Sequence, residues 1–349
     1  MANHYVPVLW SLRKKRYDLV LWGFITCYLA AFGILGFLFY PEATAEILMI
    51  RATGSLAFLM LHLILMIGPL ARLDSRFLPV LYNRRHFGVI MFGIALIHGL
   101  LSLFQFHALG NLNPFLSLFT SNLQYTSLVH FPFQTLGFFA LLILFLMAAT
   151  SHDFWLHNLS PRIWKSLHML VYLAYALLLM HVMLGTVQFE ASPMLLCLLV
   201  IGLVLLTSLH LLAGFRERKR DKASGILQAD GFVEVGSFHE IPDNGAVTIG
   251  AGGERIAIFR YGNKVSAVSN VCRHQGGPLG EGRIVDGCIT CPWHGYQYAP
   301  QNGCSPPPFT EKVETFDLKL IGDTVLVDPK PWPPGTERIP ATFNPDRIL

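Results

Sequence analysis

Cys272-Arg273-His274 and, after sixteen intervening residues, Cys291-Pro292-Trp293-His294 form the stretch that decides this chain. Each part contributes one thiol and one imidazole. Two such pairs can grip one two-iron cluster, with Cys272 and Cys291 on one iron and His274 and His294 on the other. Replacing two anionic sulfurs by neutral imidazoles raises the potential of such a centre above that of an all-cysteine one. The same ligand types also make a Cys2His2 zinc site. The surroundings separate the two readings. Gly276, Gly277, Pro278 and Leu279 follow the first pair, and Gly295, Tyr296 and Tyr298 follow the second. A further loop, Gly303-Cys304-Ser305-Pro306-Pro307-Pro308-Phe309, lies beyond. Zinc needs none of that loop chemistry.

Taken together these residues resemble Rieske-type ferredoxin domains. The resemblance implies a small all-β domain with a [2Fe-2S] cluster on Cys272, His274, Cys291 and His294. It also implies a shielding Pro-rich loop, with Tyr298 and Pro307 next to the cluster. Rieske domains of respiratory cytochrome complexes add a disulfide between the ligand loops. The corresponding positions here are Gly277 and Trp293, which is similar to the ferredoxin and oxygenase branch and suits a reducing cytosol. High-potential members have a serine two residues after the last ligand, where this chain has Tyr296. A potential in the lower part of the range of about −150 to +300 mV is expected.

The rest of the chain is of another kind. Its 349 residues are 53% hydrophobic and only 14% charged, far from soluble-domain averages. Six apolar runs, about 18–40, 52–71, 87–106, 131–150, 167–186 and 193–214, are each long enough to cross about 30 Å of hydrocarbon. One side of the connections holds Arg13, Lys14, Lys15, Arg16, Arg72, Arg76, Arg84, Arg85, Arg162, Lys165 and the basic run Arg216–Lys222. The other side holds Arg51 alone. The excess of positive charge places both termini in the cytoplasm of an inner or plasma membrane; a bacterial source is expected. From about 230 the texture changes to short alternating segments broken by glycine, which read as strands. The expected division is a basic N-terminus (1–17), six transmembrane helices (18–214), a basic and polar linker (215–229), the Rieske domain (230–329) and a loosely packed Pro-rich tail (330–349). Cys27 and Cys197 lie in apolar runs, and the six cysteines suggest no secreted disulfide framework.

Ionisable residues inside spans are costly and usually functional. The third span begins near His86 and carries His98; the fifth begins near His168 and carries His181. Two histidine levels, about 18–20 Å apart, are expected on these helices and suit two haems b. Here the chain resembles the six-helix ferric reductase-like transmembrane family, which includes the NADPH oxidase core and the haem subunit of a bacterial methionine sulfoxide reductase system. Thr53-Gly54 through Gly68-Pro69-Leu70-Ala71-Arg72 and Trp164-Lys165-Ser166-Leu167-His168-Met169-Leu170-Val171-Tyr172 carry that likeness. His98, His168 and His181 match the family pattern. The inner group on the third helix is open between His86, Arg84 and His62. His62 also reads as a satisfied core histidine. His107 and His130 flank the outer connection, and His152, His157, His210 and His239 carry no signal.

The chain has no glycine-rich dinucleotide fingerprint. The expected function is a relay: a cytosolic flavoprotein reductase or ferredoxin reduces the cluster, and electrons pass through transmembrane haem b to an acceptor outside. A haem and iron-sulfur subunit coupling the quinone pool to a partner redox enzyme is the first alternative. A membrane-anchored binding protein with structural zinc is the second. Nothing points to nucleic acid.

Overall fold

The computed structural model describes residues 12–344 except 82, 152–154, 156–158, 160, 191–192, 223–227, 229, 275 and 294. Contacts divide the described residues into two units, a helical one within 12–69 and 83–210 and a second within 70–81 and 211–344.

Six helices account for the apolar runs: α1 Leu12–Phe39, α2 Ala45–Leu73, α3 Arg84–Leu103, α4 Phe133–Ala149, α5 Ile163–Glu190 and α6 Pro193–Lys222. Five are long and apolar enough to cross a membrane; α4, with 17 residues, is at the short end of that class. The chain is a multi-pass membrane protein. Leu56, Ala57, Met60, Leu61, Ile64 and Leu65 of α2 are buried. Their spacing puts them on one helical face, so α2 is the inner pole of the bundle. Two ends run further than the apolar pattern indicates. α1 begins at Leu12, and α6 continues to Lys222 through part of the expected linker. Arg, Lys and Leu are good helix formers, and no Gly or Pro interrupts Phe215–Lys222.

The second unit is mainly a β-domain of three small sheets. β1 (Val233–Ser237) pairs with β10 (Thr324–Val327), which pairs with β9 (Leu318–Ile321). β2 (Ala246–Ala251), β3 (Glu254–Tyr261) and β4 (Lys264–Ser269) form an antiparallel meander, with β8 (Thr315–Phe316) and β11 (Ala341–Thr342) on β4. β5 (Arg283–Val285), β6 (Cys288–Thr290) and β7 (Gln297–Tyr298) make the third. One core lies around Phe238, Ile256, Ile258 and Phe316. The other gathers Phe259, Leu279, Ile289, Tyr296 and Tyr298 with Cys272 and Cys291.

The tail is not loose over its described part. Trp332 donates its backbone N–H to Thr315 O (2.9 Å) and its indole N–H to Asp317 (2.8 Å). Arg338 bonds Asp317 and lies over the Trp332 ring, and Phe343 stacks on Phe238 at 4.6 Å. Proline stops regular structure, but Trp332, Arg338 and Phe343 anchor the segment.

Candidate redox centres

Two loops with the same backbone plan carry the expected cluster ligands. In the first, Cys272 N–H donates to Gly277 O (2.9 Å) and Gly276 N–H to Cys272 O (2.7 Å). In the second, Cys291 N–H donates to Tyr296 O (2.8 Å) and Gly295 N–H to Cys291 O (3.0 Å). Gly276 and Gly295 have φ of 72° and 71°, a left-handed conformation that only glycine adopts without strain. The loops face each other closely: a Cβ on Gly277 would lie 2.7 Å from Cys291 Sγ. His274 is buried, stacked on Tyr296 at 4.5 Å. His294 lies outside the described residues.

Tyr298 is fully buried and holds the first loop. Its oxygen accepts the Arg273 N–H (3.1 Å), which leaves the phenol proton for Cys272 Sγ at 3.3 Å. Burial first, then the Cys272 sulfur, pushes the Tyr298 hydroxyl above its ordinary range, so it remains a donor. Burial likewise pushes up Tyr296, whose hydroxyl donates to Glu311. The third loop is tied down by Ser305 N–H to Glu311 O (3.0 Å) and Val313 N–H to Gly303 O (2.9 Å). Gly303, Ser305 and Pro306 are its buried residues; Pro307 is exposed. Among the described residues no three of His, Cys, Asp and Glu converge as on one ion. The paired Cys and His loops carry the donor types that a two-iron cluster divides between its metals. The loops fit the cluster.

In the helical unit His98 and His181 face each other, ring centroids 6.3 Å apart. His98 Nδ1 lies 2.9 Å from Ile50 O and His181 Nδ1 2.9 Å from Phe133 O. A carbonyl accepts only, so each Nδ1 carries the proton and each Nε2 is left as a ligand. Two imidazoles on opposite sides of one metal, each nitrogen about 2 Å away, have centroids about 6 Å apart. The pair fits a bis-imidazole haem. Glycines make room: a Cβ on Gly54 would sit 2.8 Å from the His98 ring, and one on Gly137 2.9 Å from that of His181. The parts repeat at a constant offset of 83 residues: Ile50 and Phe133, Gly54 and Gly137, His98 and His181. α2–α3 and α4–α5 are two copies of one device.

The inner level differs. His168 Nδ1 bonds Trp164 O (3.0 Å), its ring stacks on Trp164 at 3.7 Å, and its Nε2 lies 3.4 Å from Ser151 Oγ. His86 turns to α1, where its Nε2 is 2.7 Å from the Asp18 carboxylate. Among the described residues no ring contact joins His86 to His168, and Arg84 lies within coulombic range of His168. His62 is the satisfied core histidine, bonded to Phe58 O and the Tyr175 hydroxyl, both 2.9 Å. His107 is buried between Ser117 and Gln134, and His130 is exposed. Asp18 and Gly137 escaped the sequence reading, and Gly54 entered it only as part of the family likeness; the 83-residue offset was the signal that could have revealed the role of both glycines.

Two family descriptions match this chain. Residues 231–317 match the Rieske [2Fe-2S] domain and residues 53–179 the ferric reductase like transmembrane component. This chain belongs to both families. The Rieske part is 30% identical over 95 residues to the anthranilate 1,2-dioxygenase ferredoxin subunit of Burkholderia cepacia, 27% of this chain and 88% of that one. The membrane part is 31% identical over 197 residues to the haem-binding subunit MsrQ of protein-methionine-sulfoxide reductase from Brucella ovis, 56% of this chain and 80% of that one. Among solved structures, the ferredoxin of carbazole 1,9a-dioxygenase from Nocardioides aromaticivorans IC177 is 25% identical, over 28% of this chain and 98% of that one, with a TM-score of 0.27. This ferric reductase-like Rieske protein is a membrane electron-transfer oxidoreductase. Its β-domain is of the [2Fe-2S] kind, and its bundle is similar to a haem-binding subunit.

Proposed function

We propose that this ferric reductase-like Rieske protein passes single electrons from a cytosolic flavoprotein reductase or ferredoxin to an acceptor at the outer face. Cys272, His274, Cys291 and His294 hold the cluster, and Tyr298 donates to the Cys272 sulfur. His98 and His181 hold the outer haem b. His168 marks an inner level for a second, where Arg84 is the neighbouring cation and Asp18 holds His86 aside. The cofactors supply one-electron redox chemistry; the chain binds, orients and insulates them. The basic residues of the connections favour both termini in the cytoplasm of a bacterial inner membrane. At the outer connection a cavity of about 370 Å³ is lined by Asn122, Gln124, His130, Phe131, Phe133 and Phe189. It adjoins Phe133, whose carbonyl orients His181, and is the acceptor's place in this reading. A quinone is one acceptor that suits the uncharged segment 107–130; an outer-face redox protein is the other.

The observation that carries the reading is the His98–His181 pair, with its spacing and its two outward-anchored Nδ1 atoms. The test is EPR and optical spectroscopy of the dithionite-reduced protein with iron and haem quantified. The expected result is a Rieske-type signal together with haem b. A cluster signal without haem would leave only a membrane-anchored ferredoxin. Haem with zinc in the β-domain would remove the cytosolic point of electron uptake.

A further inference from the structure

The relay does not use two buried titratable side chains of the bundle core, His62 and Tyr175, 8% and 6% exposed. They meet across α2 and α5, the Tyr175 hydroxyl 2.9 Å from His62 Nε2. The bond has a defined polarity. His62 Nδ1 lies 2.9 Å from Phe58 O, so Nδ1 carries the proton and Nε2 accepts from the tyrosine. Phe58 packs edge-on against the imidazole and parallel to the Tyr175 ring. Gly202 of α6 brings backbone against the same nitrogen; a Cβ there would lie 3.0 Å from Nε2.

The position gives the pair its meaning. Tyr175 comes seven residues after His168 and six before His181, about 10 and 9 Å along the helix. On α2, His62 stands between Gly54, which packs on His98, and Gly68, which faces Arg84. The pair therefore sits midway between the two histidine levels, in a setting with little water to screen charge. An electron added nearby in such a medium favours the charged form of an imidazole.

We propose that His62, held by Tyr175, is a redox-linked proton site: when an electron is retained in the bundle, His62 Nε2 takes one proton, and returns it when the electron leaves. The step balances as one electron and one proton in, both released together. Nδ1–H stays on Phe58 O, and Tyr175 rotates its hydroxyl so that its oxygen accepts the new Nε2–H. The groups facing His62 are Tyr175 from α5, Phe58 from its own helix and Gly202 from α6. Of these only Tyr175 titrates. Along α5 the flanking titratable groups are Tyr172 and His168 towards one end and His181 towards the other.

This inference rests on the haem reading. Because linkage is reciprocal, the haem midpoint potential must depend on pH. A one-electron, one-proton couple shifts by about 59 mV for each tenfold change in proton activity. The experiment is potentiometric titration of the full-length haem-loaded protein across pH 5.5–8.5, for wild type, His62→Phe, Tyr175→Phe and His210→Phe. His210 is the control, since it makes a similar but exposed contact with Tyr172 at 3.3 Å. Wild type and His210→Phe are expected to show the slope over part of the range, and His62→Phe to lose it. Tyr175→Phe keeps the ring and the fold but removes the acceptor of the charged form, so its slope is expected to move to lower pH. Equal slopes in wild type and His62→Phe would overturn the proton site and leave the relay standing. Should His62→Phe fail to fold, an unmoved slope in Tyr175→Phe would overturn it instead. A chain that folds but binds no haem would overturn the relay and this site with it.

Discussion

The candidate ligands of the β-domain all lie between residues 272 and 294, whereas the facing imidazoles of the bundle, His98 and His181, stand 83 residues apart. Each of the latter is oriented by a carbonyl 48 residues away. In the β-domain two short hydrogen-bonded loops bring thiols and imidazole together, and strands β4 to β7 only set the loops face to face. In the bundle no loop takes part. The site is made where two helix faces meet, by a carbonyl, a glycine and a histidine on each side. A loop-built centre is specified by what is next to what in the chain; a helix-built one is specified by intervals.

If the two regions are independent in this sense, a ligand change in one leaves the other intact. Cys291→Ser is expected to abolish the Rieske-type EPR signal completely while haem absorbance is unchanged; loss of both would break the comparison. The bundle has no local motif to lose, so its weak point is space. Gly137→Val pushes a side chain into the His181 ring, and overpacking costs about 1–3 kcal/mol, which corresponds to about five- to 150-fold weaker haem binding. Haem retention after reconstitution is the readout, and the cluster signal should persist.

Smaller effects sharpen the contrast. His86→Ala is expected to retain the full haem spectrum but to lower stability by about 1–3 kcal/mol, less than a fully buried pair, because Asp18 loses its partner while His86 is partly exposed. Thermal melting in detergent measures it. A changed haem spectrum would return His86 to the iron. Tyr298→Phe removes one hydrogen bond to a cluster sulfur. Such bonds raise the potential, so at about 1 kcal/mol per bond it should fall by about 40 mV, with no shift of the haem potential.

Intervals explain what was legible. The strands were readable because glycine-bounded alternation is local, and Cys272, His274, Cys291 and His294 stood out as a motif. His98, His168 and His181 were readable as rare polar groups in apolar runs, but their partners were not. Asp18 is sixty-eight residues from His86, and a carboxylate at the start of a span looks like an interfacial charge. Tyr175 looks like one more aromatic residue in α5 until the fold brings His62 to it. The tail was misread because proline content says where regular structure stops, and nothing about where Trp332 or Phe343 will anchor.

The repeated device has a consequence for how the protein is made. Ile50, Gly54 and His98 belong to α2–α3, and Phe133, Gly137 and His181 to α4–α5. Each helical hairpin therefore contains its own oriented imidazole before it has met the other. The first hairpin lies wholly before the second in the chain. Each half supplies the carbonyl that aims its own histidine, so the proposed membrane site is two like jaws that meet at His98 and His181.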